Sequence, residues 1–571
     1  MSHTASRFIM VVTAMATACI AWAQAIFFDG HKAIRDSSND IWLCCVPQEV
    51  FGQDWMPVVT FDSTYTSVIV NGAEVLNGDS IILDSITGGK LFPMTLQDEQ
   101  QTLNGNVTFT WLPLLELKGE FGNEYAQGTV SLYTPDASDD KSDMLAKLKW
   151  RGGITNTSDK HKRNYHIKFI DENGEKKNRR VLGMRKDNHW KLDAGQMDPL
   201  RIRNRVCSDL WLDMSRDPWY IGLDSTVVNG SHGRLTEVFL NGEYYGIYNL
   251  MEPVDRKQLA LVKHDTVDNV FHGQQWVSKT WASTYSLPPY NNYSATWNGN
   301  EVNYPEIEDV YPTDWSLFYN AFYFAKRMDA VDNWQTLGDS IGYYYDVPVL
   351  HDYIIFLITL QALDNEVKNI YYSCYDKQES RLLTVTPWDL DISVGARSIP
   401  NLDVSPERPV NWITNLAMGD LFKFSRPHRS QIIERYWQLR ETWLNTDSLL
   451  SRFQRAVEEV ELCGAAAREE ARWSMDTDLG GSVLDISSEM EYVADWITRR
   501  MAYLDENVFA IIILRGDVND DGKLNIEDVT TLINHLLDNE PVNETNADVD
   551  ADGNIDISDV TELINLLLNG N

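Results

Sequence analysis

The chain has 571 residues, of which 43% are hydrophobic and 23% charged, a composition ordinary for globular protein that excludes a disordered chain. That length exceeds what one hydrophobic core supports, so about two to four domains are expected. With 49 Lys and Arg against 84 Asp and Glu, the formal net charge of −35 repels phosphate backbones and anionic lipid, and so argues against nucleic acid and membrane surfaces as partners.

The opening MSHTASRFIMVVTAMATACIAWAQA places Arg7 ahead of an apolar run and spaces small residues as Ala21-Trp22-Ala23 and Ala23-Gln24-Ala25, the pattern of a signal peptide over residues 1–25. Cys19 behind Ala16-Thr17-Ala18 allows a lipoprotein reading, which the bulky Ile20 and Trp22 weaken. No later apolar run reaches the roughly 18 residues of a membrane span. A secreted or cell-surface protein without a membrane span is expected. Cys44, Cys45, Cys207, Cys374 and Cys463 form no C-x-x-C pair, so buried thiols with at most about two disulfides are expected.

Taken in chain order, residues 26–108 alternate apolar and polar in short runs such as TSVIVNG, which predicts a small antiparallel β unit. Residues 109–508 mix strand runs (YHIKFID, LTEVFLNGEYYGIYNLME) with helical ones (HDYIIFLITLQALDN), and Asn241-Gly242 is a strong hairpin signal. Apolar spacing turns helical between 405 and 505, as in IIERYWQLRETWL. The fold class is therefore α+β and multidomain: a β-rich start, a central α+β domain with a helical tail, and a separate all-α end at 515–571.

That end is an internal repeat, because GDVNDDGKLNIEDVTTLINHLL recurs 31 residues later as ADVDADGNIDISDVTELINLLL. Each copy is a twelve-residue loop with oxygen-bearing side chains at positions one, three, five, nine and twelve. In the first loop these are Asp517, Asn519, Asp521, Asn525 and Asp528; in the second they are Asp548, Asp550, Asp552, Asp556 and Asp559. Gly522 or Gly553 supplies the sharp turn at position six, and Lys523 or Asn554 offers a carbonyl at position seven, so two Ca²⁺ ions are expected. A solvated acidic face does not explain this register appearing twice. Five carboxylates against three predict tighter binding in the second loop. A helix is expected after each loop, and none of comparable length before the first. The pattern resembles the type I dockerin family across 515–571. The resemblance implies docking onto a cohesin module of a scaffold or surface protein in systems that degrade polysaccharide. It also places Ile526-Glu527 and Ile557-Ser558 at the partner-contact positions.

In the centre, LDNEVKN sets Asp364 and Asn369 five positions apart, and PWDLD (Pro387 to Asp391) follows the apolar run LLTV. Phosphoryl transfer needs oxygen ligands for metal ions and a residue that orients the attacking hydroxyl. Protein kinases place an Asp and an Asn at this spacing in one loop and a second Asp on the next hairpin. Asp364 and Asn369 fit the pair, Asp389 fits the second role, and Asp391 is the rival ligand, on the same face if the strand continues. Alone the pattern is weak, since an Asp and an Asn often merely cap a turn.

Further segments accompany it in one order between about 109 and 505: WLPLLEL, Lys149-Trp150-Arg151-Gly152 leading to KRNYHIKF, VLGMRKDNHWKL, DPLRIRNRV, EVFLNGEYYGIYNLMEPVDR, LDNEVKNIYY and PWDLDISVG. Together they resemble the spore-coat protein H (CotH) kinase-like family. The resemblance implies a kinase-like fold that binds ATP and Mg²⁺ and phosphorylates protein Ser or Thr. It implies that Asp364 is the catalytic acid-base position and that Asn369 and Asp389 are metal ligands. Lys162, Lys168 and Arg203 are candidates for cradling the triphosphate, with a solvated strand edge as the competing role, and Glu252 for anchoring a lysine or meeting the nucleotide, with a buried structural ion pair as the competing role. After Arg151-Gly152 the chain reads GITNTSDKHKR where the family commonly has R-G-N-S-S, so the phosphate-covering loop is expected to differ.

An alternative reading is a non-catalytic, dockerin-bearing component of a cellulosome-like assembly. A third, a glycoside hydrolase suggested by paired carboxylates and 19 Trp, ranks last.

Overall fold

The structure, a computed structural model, describes residues 25–569 apart from 158–159, 266, 268–269, 282–286, 400, 475–482, 511–514 and 521–522. The leader reading up to residue 24 lies outside the described residues.

Eight strands form the first sheet: β1 Ile26–Phe28, β2 His31–Asp36, β3 Ile41–Cys45, β4 Val59–Phe61, β5 Ser67–Val70, β6 Ala73–Glu74, β7 Phe92–Gln97 and β8 Thr102–Thr110. Their order is β4-β1-β2-β3-β8-β7-β5-β6. The expectation of a purely antiparallel unit needs correction, because β3 and β8 run parallel with Ile41 opposite Asn106. Period-two alternation reports which face is buried and carries no information about strand direction.

A closed barrel follows. Its strands are β9 Leu114–Lys118, β10 Ala126–Tyr133, β11 Lys141–Arg151, β12 Asn164–Phe169, β15 His189–Asp193, β16 Gly233–Leu240 and β17 Glu243–Met251; a small hairpin, β13 Arg179–Arg180 with β14 Lys186–Asp187, is inserted before β15. Alternate residues such as Leu148, Tyr165, Ile167, Trp190 and Leu250 fill the interior. Asn241 and Gly242 both take positive φ, 52° and 84°, so β16 and β17 close through the expected two-residue turn. The first sheet grips this hairpin: the Tyr244 amide donates to Asp36 (3.2 Å), the Ser37 amide donates to the Gly242 carbonyl (2.9 Å), and Ile34, Leu43, Leu114 and Phe239 share one apolar cluster.

Beyond the barrel lie helix α1 (Arg203–Met214) and a five-stranded sheet of β18 Gln274–Ser278, β19 Thr296–Trp297, β20 Asn300–Tyr304, β21 Ile370–Cys374 and β22 Thr384–Pro387. Eight helices follow: α2 Ser316–Asp329, α3 Trp334–Ile341, α4 Val347–Leu360, which packs on β22, α5 Leu416–Phe424, α6 Arg426–Arg440, α7 Thr446–Leu462, α8 Ala465–Trp473, which packs on barrel strand β17, and α9 Ile486–Tyr503. Helix α4 is buried on every side from Val349 to Leu360, which explains its unbroken apolar run. The last unit holds α10 Ile526–Asp538, α11 Glu544–Ala547 and α12 Ile557–Asn569 around Val518, Val529, Leu532, Val549, Val560 and Leu563. Cys44, Cys45, Cys207, Cys374 and Cys463 are free and buried. No described helix is long and apolar enough to cross a membrane.

Candidate functional site

Gln361 ends α4 in the left-handed conformation (φ 47°), and a single tight turn, Leu363–Asn365, then carries Asp364. Asn369 and Asp389 are also left-handed, at φ 55° and 59°. Asn and Asp tolerate that region better than most residues, and unusual backbone of this kind clusters at functional sites. The strand ends at Pro387, so Asp391 does not follow Asp389 along a continuing strand.

Asn365 stitches the two loops together, its side-chain amide donating to the carbonyls of Trp388 (2.7 Å) and Asn369 (3.3 Å). Asp364 Oδ2 accepts from Lys368 Nζ at 2.5 Å and from Asn369 Nδ2 at 3.0 Å, whereas its Oδ1 is buried without a well-formed hydrogen bond to any described residue. Burial pushes the Asp364 carboxyl up, Lys368 pulls it down, Asp389 pushes it up again, and a hydrogen bond from the Trp281 side chain pulls it down. Asp391 is raised well above the usual range, first by burial and then by the charges of Asp389, Asp193, Asp364 and Asp198. Asp391 therefore feels four other carboxylates.

The outer face of the barrel opposes them. The register aligns Lys147 with Lys168 and Lys168 with His189 in one row, and Lys149 with His166 and His166 with Lys191 in the next; Arg151 and Asn164 lead the third. Like charges placed directly opposite one another on a sheet are destabilising, so this face retains an electrostatic cost. Lys191 Nζ lies 2.8 Å from His166 Nδ1, and its ammonium is held well below its ordinary pKa by burial and then by Arg151 and Lys279. Burial and Lys191 likewise depress both His166 and His189. Arg151 sits 5.5 Å over the Trp388 ring, and its Nη1 is buried without a partner among the described residues. Asp193 ends β15 with a carboxyl raised by burial and then by Asp389; Asn204 bonds both Asp193 (2.6 Å) and the Leu390 amide (3.2 Å), tying barrel to loop.

The remaining candidates from the sequence sit elsewhere. Lys162 is fully buried, donating to Glu469 and to the Ile247 carbonyl, both at 2.7 Å. Arg203 is equally buried between Asp198 and Glu489, each at 2.5 Å. Neither is the solvated strand edge that competed with phosphate binding: both are buried in ion pairs, and the structure does not bring them to the basic face. Glu252 accepts from the Arg185 amide, His232 and Gln258; burial raises its carboxyl, and these hydrogen bonds outweigh that to hold it low. Lys168 lies on the basic face with Nζ 4.7 Å from the Tyr125 ring.

Sequence reading missed Arg151, His166, His189, Lys191, Asp193, Asn204, Asn365 and Lys368. A usable signal existed, since basic residues recur at every second position in three neighbouring runs. Of the tryptophans, Trp190, Trp211, Trp276, Trp315 and Trp496 are fully buried, so their number does not amount to a sugar-binding surface.

In the repeat, each position-twelve carboxylate organises its loop. Asp528 accepts from the amides of Asn519 and Asn525, and Asp559 accepts from those of Val549, Asp550 and Asp556. Position four is left-handed in both loops, Asp520 at 56° and Ala551 at 63°. Carboxylate oxygens of Asp548, Asp550 and Asp552 lie within 4.8 Å of one another, a donor set that fits a hard divalent cation. Burial and the charges of Asp552, Asp559 and Asp548 raise Asp550. Asp521 lies outside the described residues. Short α11 precedes the second loop, and α10 and α12 follow the two loops as expected.

A family model described as CotH kinase protein matches residues 148–504, more than half of the chain, and a model described as Dockerin type I domain matches 515–568. No curated protein matches. The chain belongs to the CotH kinase protein family and carries a calcium-binding type I dockerin domain at its C-terminal end.

Proposed function

We propose that the chain is an exported phosphotransferase that uses ATP and Mg²⁺ to phosphorylate protein serine or threonine, and that its dockerin holds it to a cohesin-bearing scaffold or surface of a polysaccharide-degrading system. One observation supports this above others: Lys147, Lys149, Lys168 and Lys191 crowd the barrel face, and Asp364, Asp389 and Asp391 crowd the loops opposite, where Lys368 is paired with Asp364. Nucleotide phosphate accompanied by a divalent cation satisfies both walls at once. In this reading Arg151, Lys168 and Lys191 hold phosphate oxygens, and Asn369, Asp389 and Asp391 hold Mg²⁺, which neutralises charge on those oxygens. Asp364 orients the acceptor hydroxyl.

Anchoring rests on the dockerin match and on the exposed Ile526 and Ile557, which stand at equivalent positions of the two repeats. The pairs Ile526-Glu527 and Ile557-Ser558 differ, so the two faces need not be equivalent.

Phosphate incorporation from labelled ATP into co-secreted proteins tests the reading. Asp364→Asn and Asp389→Ala each lower it by at least about a hundredfold. An absence of nucleotide binding at any magnesium concentration would leave a non-catalytic, dockerin-borne assembly component instead.

A further inference from the structure

The two oxygens of the Asp364 carboxylate are not equivalent. Oδ2 is held from two sides, by Lys368 Nζ at 2.5 Å and by Asn369 Nδ2 at 3.0 Å. The Trp281 side chain also reaches this carboxyl, but Oδ1 is buried without a well-formed hydrogen bond to any described residue, a costly state for a carboxylate oxygen unless something arrives to use it. Lys368 stands four residues after Asp364, and the two form an ion pair in which the lysine side chain is 24% exposed and the aspartate side chain 7%. Across the pair, Asn365 and the Trp388 carbonyl lock the turn in place. A carboxylate turns about a soft terminal torsion, so two donors on one oxygen are what stop it from exchanging its oxygens.

We infer that Lys368 is a positioning residue: by pinning Oδ2 together with Asn369, it dedicates Oδ1 of Asp364 to the acceptor hydroxyl. This rests on the phosphotransferase reading of the same site. The step balances as follows. The acceptor oxygen bonds to the terminal phosphorus while the bond from that phosphorus to the bridging oxygen of ADP breaks; the electron pair leaves with ADP, and the hydroxyl proton passes to Asp364 Oδ1. A hydroxyl proton must lie within hydrogen-bond reach of its acceptor, so a carboxylate free to rotate presents the wrong oxygen for part of the time.

The test uses the full chain with labelled ATP, magnesium and dephosphorylated casein as the acceptor. Lys368→Met is expected to lower kcat by about tenfold or more while leaving KM for ATP within about threefold, because orientation is lost and ground-state binding is not. Lys368→Arg, which keeps a cationic donor, is expected to recover most of kcat. Wild-type kcat in Lys368→Met, or no recovery in Lys368→Arg when both variants match the wild type in thermal unfolding, overturns this role while leaving the phosphotransferase reading intact. Wild-type protein that transfers no phosphate at any magnesium concentration overturns that reading, and this role falls with it.

Discussion

Lys162 and Glu469, 307 positions apart, meet in an ion pair of 2.7 Å with neither side chain exposed to solvent. Glu469 also accepts from Arg201 Nε at 2.7 Å and from the Ile247 amide at 2.8 Å, so one carboxylate ties helix α8 to the barrel. Removing one partner of a buried pair costs about 3–5 kcal/mol when the other is left unmatched, and Arg201, which stays on Glu469, keeps the loss toward the lower end of that range. Lys162→Met should therefore lower unfolding stability by that order in urea titrations, while nucleotide affinity of the folded protein stays near that of the wild type.

Arg151 and Lys191 should behave in the opposite way. Among the described residues neither has a hydrogen bond to a carboxylate, and Lys191 feels the charges of Arg151, Lys279 and Lys168. Losing a charge-assisted hydrogen bond to phosphate costs about 1.5–3 kcal/mol. Arg151→Gln and Lys191→Met are thus expected to weaken ATP binding in calorimetry roughly ten- to a hundredfold, with little loss of thermal stability. Relief of the crowded positive charge should make Lys191→Met slightly more stable when no nucleotide is present.

The interface between α4 and α6 predicts acid sensitivity. His351 Nε2 lies 2.8 Å from His428 Nδ1, and His428 Nε2 lies 3.0 Å from the Gly338 carbonyl. In that chain His351 donates to His428, which donates to Gly338, so both rings are neutral. Burial, followed by the charges of His428 and Arg216, pushes His351 down to about 3. An unfolded histidine titrates near about 6.5, so below that pH the unfolded state takes up a proton that the folded state refuses. Stability from this group is complete above about pH 6.5 and is lost as pH falls toward 3, by about 1.4 kcal/mol per pH unit. His351→Gln should flatten the pH dependence of unfolding in that window by the same amount.

Calcium should bind unequally to the two dockerin loops. The second loop has carboxylates at all five side-chain positions, and three of them already converge within 4.8 Å. Calorimetry should resolve a tighter site that Asp559→Ala weakens by at least about tenfold, and a weaker one that it spares. Chelation should lower the helical signal of residues 515–569, since bound calcium offsets the repulsion among the loop carboxylates.

The dockerin repeat was legible in the sequence because a twelve-residue loop is a local object, in which acidic spacing, glycine and following helix all sit within one stretch of chain. The Asn241-Gly242 hairpin was legible for the same reason. Asp364 and Asn369 could be singled out together because five positions of backbone keep them close, and their 3.0 Å hydrogen bond follows from that closeness.

What depends on strand pairing was settled only in three dimensions. The parallel join of β3 to β8, the alignment of Lys149 with His166 and Lys191, and the burial of Lys162 and Arg203 all bring together residues distant in sequence. A lysine on a strand reads the same whether it faces solvent, a phosphate or a glutamate three hundred residues away. Sequence by itself determined the kinds of chemistry available and their local spacing. The tertiary structure decided which charges meet, because a buried charge is set by the partners that packing supplies, and packing is a property of the whole chain.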